Sequence, residues 1–302
     1  MKKLNHIWIF SDSIRGHEIQ SCALANKIAN QISLFHCGLR QPWLSFAPRI
    51  LPGFGRNIIW EKQTPNILKT PDAIITCGRR MAAIGKYYKQ QIKCKHLQIL
   101  NPTDNPKNYD IIICPEHDRM VATNVISSKG SLHSISKSEL QKYKYPTDNK
   151  VLSLLIGNPG KHFFKNLSNL AKKILDQYPN FDLYICGSRR TDKKQKKKIR
   201  KVFKDAQLCW LEESDGQNPY MSILANSDVL LVTADSINMV SEACATNKTV
   251  IVVAQEQVSP KHKRFVKSIE NRLSEFGTIH NNPVPLDTLT HVAQQVLLGI
   301  DR

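Results

Sequence analysis

Thr-Ala-Asp-Ser-Ile-Asn-Met-Val-Ser-Glu-Ala-Cys-Ala-Thr, residues 233–246, is the stretch that decides how this chain folds. Immediately before it, residues 229–233 form an uninterrupted aliphatic run, the pattern of a strand covered on both faces. The run stops in small polar residues and an Ala-rich helical pattern begins. Strands of this kind belong to parallel sheets, whose ligands bind beyond the carboxyl ends of the strands, where helix N-termini offer unpaired N–H groups to anions. Asp235, Ser236, Ser241 and Glu242 stand at that end, so a phosphate-bearing ligand is the first expectation.

The same alternation continues toward both termini. Further strands are predicted at 151–156, 182–186 and 249–253, with helices near 166–177, 193–204, 219–225 and 239–245. The first half carries strand patterns at 6–10, 73–77, 96–100 and 110–114, separated by helical patterns at 19–31 and 80–91. Each half thus has its own set of βαβ units, which predicts two Rossmann-like domains facing a cleft. The polar segment 142–150 has no hydrophobic period and is taken as the junction, giving domains 1–146 and 147–302. A last amphipathic helix repeats Leu289, Val292 and Val296 beyond Pro283 and Pro285 and needs a surface to cover, which the first domain could supply.

At 302 residues the chain is long for one core, and no apolar run approaches the roughly 20 residues of a spanning helix. The first apolar run ends at Ser11-Asp12, too early for a secretory segment, so it reads as a strand. Eight scattered cysteines without Cys-x-x-Cys spacing suggest neither a disulfide framework nor a structural zinc site, and a reducing cytoplasm fits. The net charge is +18, and residues 1–150 hold 22 basic and 10 acidic residues of it. Such a surplus points to an anionic partner, a nucleotide, nucleic acid or lipid surface. The Lys-rich stretch 193–204 keeps its apolar residues on one helical stripe, so it reads as a solvated helix face and nucleic acid is not expected. Residues 42–60 interleave Trp43, Leu44, Phe46, Ile50, Phe54 and Trp60 with Arg49 and Arg56, and Arg40 stands just before them. Two readings stand here: an anionic membrane interface, or an irregular excursion whose apolar residues enter the core.

Polar residues gather at the strand ends. Ser11 to Gln20 is a loop with one glycine, not a dinucleotide fingerprint. It places His17 and Glu18 in a first helical turn, where His17 either takes a proton from a substrate hydroxyl or joins Asp12 in capping the helix. Arg79 and Arg80 follow Cys77-Gly78 and suit a phosphate or carboxylate, with an ordinary surface pair as the alternative. Glu116 and His117, with Cys114, Asp118 and His133 nearby, resemble metal ligands. Adjacent residues on an extended stretch point opposite ways, however, so proton transfer or substrate orientation is preferred for Glu116 and His117. In the second half, Gly157-Asn158-Pro159-Gly160, Ser188-Arg189-Arg190 and Asn218-Pro219-Tyr220 occupy equivalent strand ends. Their glycines, hydroxyls and guanidiniums suit a diphosphate, although 157–160 also reads as a plain tight turn.

Taken together, the motifs at 11–20, 78–80, 115–118, 130–133, 188–191, 218–220 and 233–246 resemble the mitochondrial fission, or elongated-mitochondria, family and its bacterial members, over roughly residues 6–275. Two departures stand out: Ser13 where the family has glycine, and Asn158-Pro159-Gly160 where Gly-x-Ser is commoner. The resemblance implies a GT-B-like fold, similar to lipid-A disaccharide and peptidoglycan glycosyltransferases. It also implies Glu242 on the ribose hydroxyls, the loops 157–160 and 188–191 on the diphosphate, and His17 as the base that activates an acceptor hydroxyl. Plant members are associated with recruiting a dynamin-like protein, and bacterial members often carry a sugar-epimerase label.

The resulting expectation is a metal-independent glycosyltransferase without a cofactor, using a nucleotide-sugar donor on a cell-envelope glycolipid or saccharide. Donor-binding residues are Gly157, Asn158, Gly160, Ser188, Arg189, Arg190, Asn218, Tyr220, Asp235, Ser236, Ser241 and Glu242, and Arg79, Arg80 and His133 are acceptor-binding. His17, Glu18, Glu116 and His117 carry the proton chemistry. The absence of an Asp-x-Asp triplet agrees with guanidiniums and helix N-termini, not a metal, stabilising the leaving diphosphate. The expected location is cytoplasmic, peripheral at the inner membrane face. Rivals are a nucleotide-sugar epimerase of the same architecture and a non-catalytic adaptor.

Overall fold

Two sheets account for the alternation of apolar runs and helices. The computed structural model describes residues 2–300, and its contacts divide the chain into one unit that ends at Ser134 and resumes at Asp287, and a second spanning Ile135–Leu286.

In the first unit the order is β1 (Leu4–Ser11), α1 (Arg15–Ile28), β2 (Ala29–Leu39), α2 (Trp43–Phe46), β3 (Ile58–Trp60), β4 (Ala73–Cys77), α3 (Gly78–Gln91), β5 (Lys95–Ile99), β6 (Ile111–Pro115) and β7 (Val125–Ser128). The sheet runs β3-β2-β1-β4-β5-β6-β7, parallel except where β3 meets β2. Strand β1 shows why its sequence is continuously apolar. Ile7 and Ile9 enter one core with Leu24 and Ile28, while Trp8 and Phe10 enter another with Phe35 and Tyr88. The sequence missed β2, because the helical period of residues 19–31 runs into it without a loop. Helix α1 ends at Ile28, Ala29 is already extended (φ −129°, ψ 160°), and pairing with β1 starts at Leu4↔Ala29.

Residues 42–60 largely take the second of their two readings. Phe54 and Ile58 are buried, Trp43, Leu44 and Ile50 pack on the same core, and the Trp60 ring lies 5.9 Å from Phe10 and 6.0 Å from Tyr88. Phe46 stays half exposed.

The second unit contains α4 (Lys137–Gln141), β8 (Lys150–Leu155), α5 (Lys161–Lys165), α6 (Leu167–Gln177), β9 (Phe181–Cys186), α7 (Lys193–Val202), β10 (Leu208–Trp210), α8 (Tyr220–Asn226), β11 (Val229–Thr233), α9 (Ile237–Cys244), β12 (Thr249–Val253) and α10 (Pro260–Ser268). Its sheet is all parallel in the order β10-β9-β8-β11-β12. Every residue of β11 is buried, as its aliphatic run requires.

The division of the chain comes earlier than the segment 142–150. Ile135 and Leu140 already belong to the second unit's core, and the polar stretch is tied to α8: Tyr145 N donates to Asn226 Oδ1 (3.0 Å) and Asn226 Nδ2 donates to Tyr143 O (2.8 Å). A segment without hydrophobic period is therefore held by hydrogen bonds to a distant asparagine, which local pattern cannot reveal. The final helix, α11 (Thr288–Ile300), buries Val292, Ala293 and Val296 in the first unit's core beside α1, and Thr288 Oγ1 donates to Lys129 O (2.7 Å).

Candidate functional site

Both sheets reverse their strand order once, between β1 and β4 and between β8 and β11, and in open parallel sheets that reversal leaves a crevice at the carboxyl edge. Each crevice gathers polar side chains.

In the first unit, β1 ends at Ser11 and α1 starts at Arg15, so the loop between them crosses the carboxyl edge. Ser13 sits in the left-handed region at φ 58°, which explains why glycine suits the position; its Oγ donates to Glu61 Oε1 at 3.1 Å. His17 Nδ1 lies 3.2 Å from Asp12 Oδ1. A carboxylate there selects the tautomer with the proton on Nδ1, leaving the Nε2 lone pair to accept a proton. The ring rests on Gly78 (φ 77°), where an alanine Cβ would stand 2.9 Å from His17 Cε1. Glu18 is held from two sides: Ser11 Oγ donates to its Oε2 (3.0 Å) and His36 Nε2 meets the same oxygen at 2.7 Å. The expected pair His17 and Glu18 is thus part of a five-residue cluster with Ser11, Asp12 and His36. His36 lies in the unforeseen β2, and its sequence gave no signal beyond being a histidine. Asp12 was legible only as a cap; its Oδ1 accepts Ile14 N at the start of α1 (3.3 Å) and the same oxygen also holds His17.

Arg79 and Arg80 open α3 and are exposed, and Glu116 is exposed in the turn after β6. His117 and His133, by contrast, are packed inside at 3% and 4% exposure. Neither ring faces solvent, so neither stands where a substrate hydroxyl could reach it in this structure. Among the described residues, no three of His, Cys, Asp or Glu are grouped as a metal site requires.

In the second unit the loop after β8 is not open in the way its glycines suggested. Gly157 N donates to Thr233 Oγ1 (2.9 Å), Asn158 N donates to Asp235 Oδ2 (2.6 Å), and Thr191 Oγ1 donates to Gly157 O (2.9 Å). Two N–H groups expected on a diphosphate are therefore taken by β11 and the residues after it. Gly157 is required by Asp235, whose Oδ2 would lie 2.5 Å from an added Cβ, whereas Gly160 has open space and an ordinary φ of −61°. Asp235 Oδ1 is buried and has no hydrogen-bond partner.

Helix α9 begins at Ser236, whose Oγ accepts from Met239 N at 3.5 Å. Glu242 lies on its second turn, half-buried, and accepts Tyr220 Oη at 2.5 Å. Burial, reinforced by the Glu242 charge, pushes the Tyr220 phenol well above its ordinary range, so it remains a donor to that carboxylate. Asn218 Oδ1 accepts Tyr220 N (2.9 Å) and so starts α8. Ser188 Oγ accepts Arg190 N (3.2 Å), and the side chains of Arg189 and Arg190 are exposed. Ser241 does not face the crevice: it is fully buried and its Oγ donates to Ile237 O (2.7 Å), the back-bond a mid-helix serine makes. What remains for an anion is the α9 N-terminus and the guanidiniums of the 188–191 turn. Asp235 and Glu242 offer acceptors, which suit hydroxyl or amide groups of a ligand and not its phosphates.

The family model for Mitochondrial fission ELM1 matches residues 15–298. The uncharacterized protein RP120 of Rickettsia prowazekii is 27% identical over 314 residues, covering 87% of this chain and 88% of that protein. The mitochondrial fission protein ELM1 of Arabidopsis thaliana is 28% identical over 239 residues, 67% of this chain, which spans 56% of the plant protein. Among solved structures, UDP-GlcNAc 2-epimerase from Neisseria meningitidis, bound to UDP-GlcNAc, matches at a TM-score of 0.50 and 13% identity over 98% of this chain and 100% of that one. MurG from Acinetobacter baumannii matches at a TM-score of 0.50 and 11% identity, over 97% and 99%. At such identities the likeness establishes the fold, which is GT-B-like.

Proposed function

This chain belongs to the Mitochondrial fission ELM1 family, and from that membership and the strand-end geometry we propose that it is a metal-independent glycosyltransferase. It moves a sugar from a nucleotide-sugar donor to a cell-envelope glycolipid or saccharide. The observation that carries this reading is the Asp12–His17 pair at the carboxyl edge of β1. A histidine oriented through Nδ1 by a carboxylate has Nε2 free to take the proton of an attacking hydroxyl, and the Asp12 charge stabilises the imidazolium that results. An adaptor has no need of such a pair.

The second unit holds the donor. Glu242, oriented by Tyr220, accepts from ribose hydroxyls, and the unpartnered Asp235 oxygen accepts from a further hydroxyl or amide of the ligand. Arg189, Arg190 and the N-terminus of α9 stabilise the departing diphosphate, whose charge grows as the glycosidic bond breaks. Arg79 and Arg80 bind the acceptor. None of the described helices is long and apolar enough to cross a membrane, and the +18 net charge supports a cytoplasmic protein bound peripherally to an anionic membrane face.

One observation favours an epimerase as the second reading: Ser11, Glu18 and His36 form a further proton-transfer cluster beside His17. Thermal melting with the diphosphates of uridine, cytidine, guanosine and thymidine tests the shared premise, because a ligand of the folded state raises the midpoint by mass action. At least one is expected to stabilise the protein, and no shift with any of them sinks both readings. Incubation of a stabilising nucleotide's sugar conjugate without acceptor then separates the two, since an isomerised sugar identifies the epimerase.

A further inference from the structure

Outside both clusters, the first unit has a cavity of about 360 Å³ lined by Phe46, Pro48, Arg49, Arg79, Thr103 and Asp104 among others. That volume lies within the roughly 300–1,000 Å³ of small-molecule sites. Its walls come from three places that the sequence keeps apart: the excursion after β2, the start of α3 and the loop after β5.

The charges decide what fits. Arg49 and Arg79 are exposed, and neither guanidinium has a hydrogen-bonding or ionic partner among the described residues. Asp104 does not neutralise them, because its carboxylate is already engaged: Lys86 Nζ donates to Oδ2 at 2.5 Å, Tyr109 Oη at 3.0 Å and Asn108 Nδ2 at 3.1 Å. Burial opposes the Asp104 charge, but those hydrogen bonds outweigh it and hold the group below the usual carboxylate range. With Asp104 and Lys86 cancelling, two positive charges remain unanswered. A phosphate monoester carries about −1.5 to −2 at neutral pH, which matches them, whereas a carboxylate would leave one guanidinium unpaired. Helix α3 adds to the field, since Cys77 at its start makes no side-chain cap bond and Arg79, in its first turn, lines the cavity beside the positive end of the helix dipole. Phe46 and Pro48 give the cavity an apolar wall, suited to whatever carries the phosphate.

We propose that this cavity binds a phosphoryl group of the acceptor. The proposal rests on the reading of the first unit as the acceptor half. It also places that group close to the Asp12–His17 pair, because Arg79 directly follows Gly78, on which the His17 ring lies. The phosphoryl group could belong to a lipid headgroup or to a soluble phosphorylated saccharide, and both present the same chemistry to the two guanidiniums.

The test uses the full chain and calorimetric titration with inorganic phosphate at constant ionic strength. Arg49→Gln and Arg79→Gln should each weaken phosphate binding about tenfold, and together about a hundredfold, while Lys201→Gln with Lys204→Gln, exposed on and just beyond α7 and given no role in either site, leaves it unchanged. All four side chains are exposed, so circular dichroism should show every variant folded. Uridine diphosphate is titrated in parallel. If it fails to bind while the Arg49 and Arg79 dependence holds, the donor reading falls and the phosphoryl site stands. Phosphatidylcholine vesicles with and without phosphatidic acid identify the source. Capture by phosphatidic acid that inorganic phosphate competes away assigns a lipid headgroup, and phosphate binding without capture assigns a soluble ligand. Wild-type protein that binds no phosphate, or a double Arg49/Arg79 variant that binds it undiminished, overturns the proposal.

Discussion

Replacing Gly157 with alanine should destabilise the second unit by about 3 kcal/mol, and the loss should depend almost entirely on Asp235. An alanine Cβ would stand 2.5 Å from Asp235 Oδ2, closer than real Cβ contacts allow. The carboxylate must therefore retreat, and the 2.6 Å bond it accepts from Asn158 N breaks. A hydrogen bond to a charged acceptor is worth about 1.5–3 kcal/mol, and overpacking typically costs about 1–3 kcal/mol. Asp235→Ala alone should cost only about 1 kcal/mol, because the lost bond is offset by removal of the unpartnered, desolvated Oδ1. In that background Gly157→Ala meets no obstacle, so the double-mutant cycle should show a coupling of about 3 kcal/mol. Hydrogen exchange of the β8 and β11 amides reads the stability of this unit directly, without assuming that the two units unfold together. Costs that add to within about 0.5 kcal/mol would refute the reasoning, and would mean that Gly157 is needed for a ligand and not for Asp235.

Arg272 is buried at 8% exposure and donates to the carbonyls of Cys244, Thr246 and Lys248 at 3.0, 2.7 and 2.9 Å, closing the end of α9. Arg272→Met should cost about 2–4 kcal/mol in chemical denaturation, with Arg272→Lys recovering only part of it. Asp12→Asn should leave substrate affinity nearly unchanged and lower turnover of the nucleotide sugar by about two orders of magnitude, because the amide no longer fixes the His17 tautomer. His96 is wholly buried; burial is the main cause that drives its pKa from 6.5 down to about 3. Its Nε2 meets Thr76 Oγ1 at 2.7 Å, that hydroxyl donates onward to Gln98 Oε1 at 2.6 Å, and Nδ1 has no partner, so a second proton would have no acceptor. The unfolded chain takes up the proton first, so the first unit should lose up to about 1.4 kcal/mol per pH unit as pH falls from about 6.5 toward about 3. Denaturation of His96→Leu across that range should show a shallower slope, and an unchanged slope would place the effect elsewhere.

By itself the sequence determined the class of fold and the region of the chemistry. Strands covered on both faces must be continuous aliphatic runs, so β4, β11 and β12 could be read to the residue, and the polar residues that follow them mark the carboxyl edge wherever the sheet lies. The motifs at those edges were legible for the same reason. Only the tertiary structure decided what depends on partners distant in sequence. Strands β2, β3, β7 and β10 are edge or near-edge strands, too short or too mixed in polarity to announce themselves, and β2 is defined by its register on β1. The unit boundary depends on Ile135 and Leu140 reaching the second unit's core, and α11 on a core built from the chain's beginning. Within the site, His36 reaches Glu18 only because β2 lies beside β1, and the N–H groups of Gly157 and Asn158 are taken only because β11 lies beside β8. Periodicity in a sequence records which side of an element is dry. Which polar atom answers which is settled by elements that meet across the sheet.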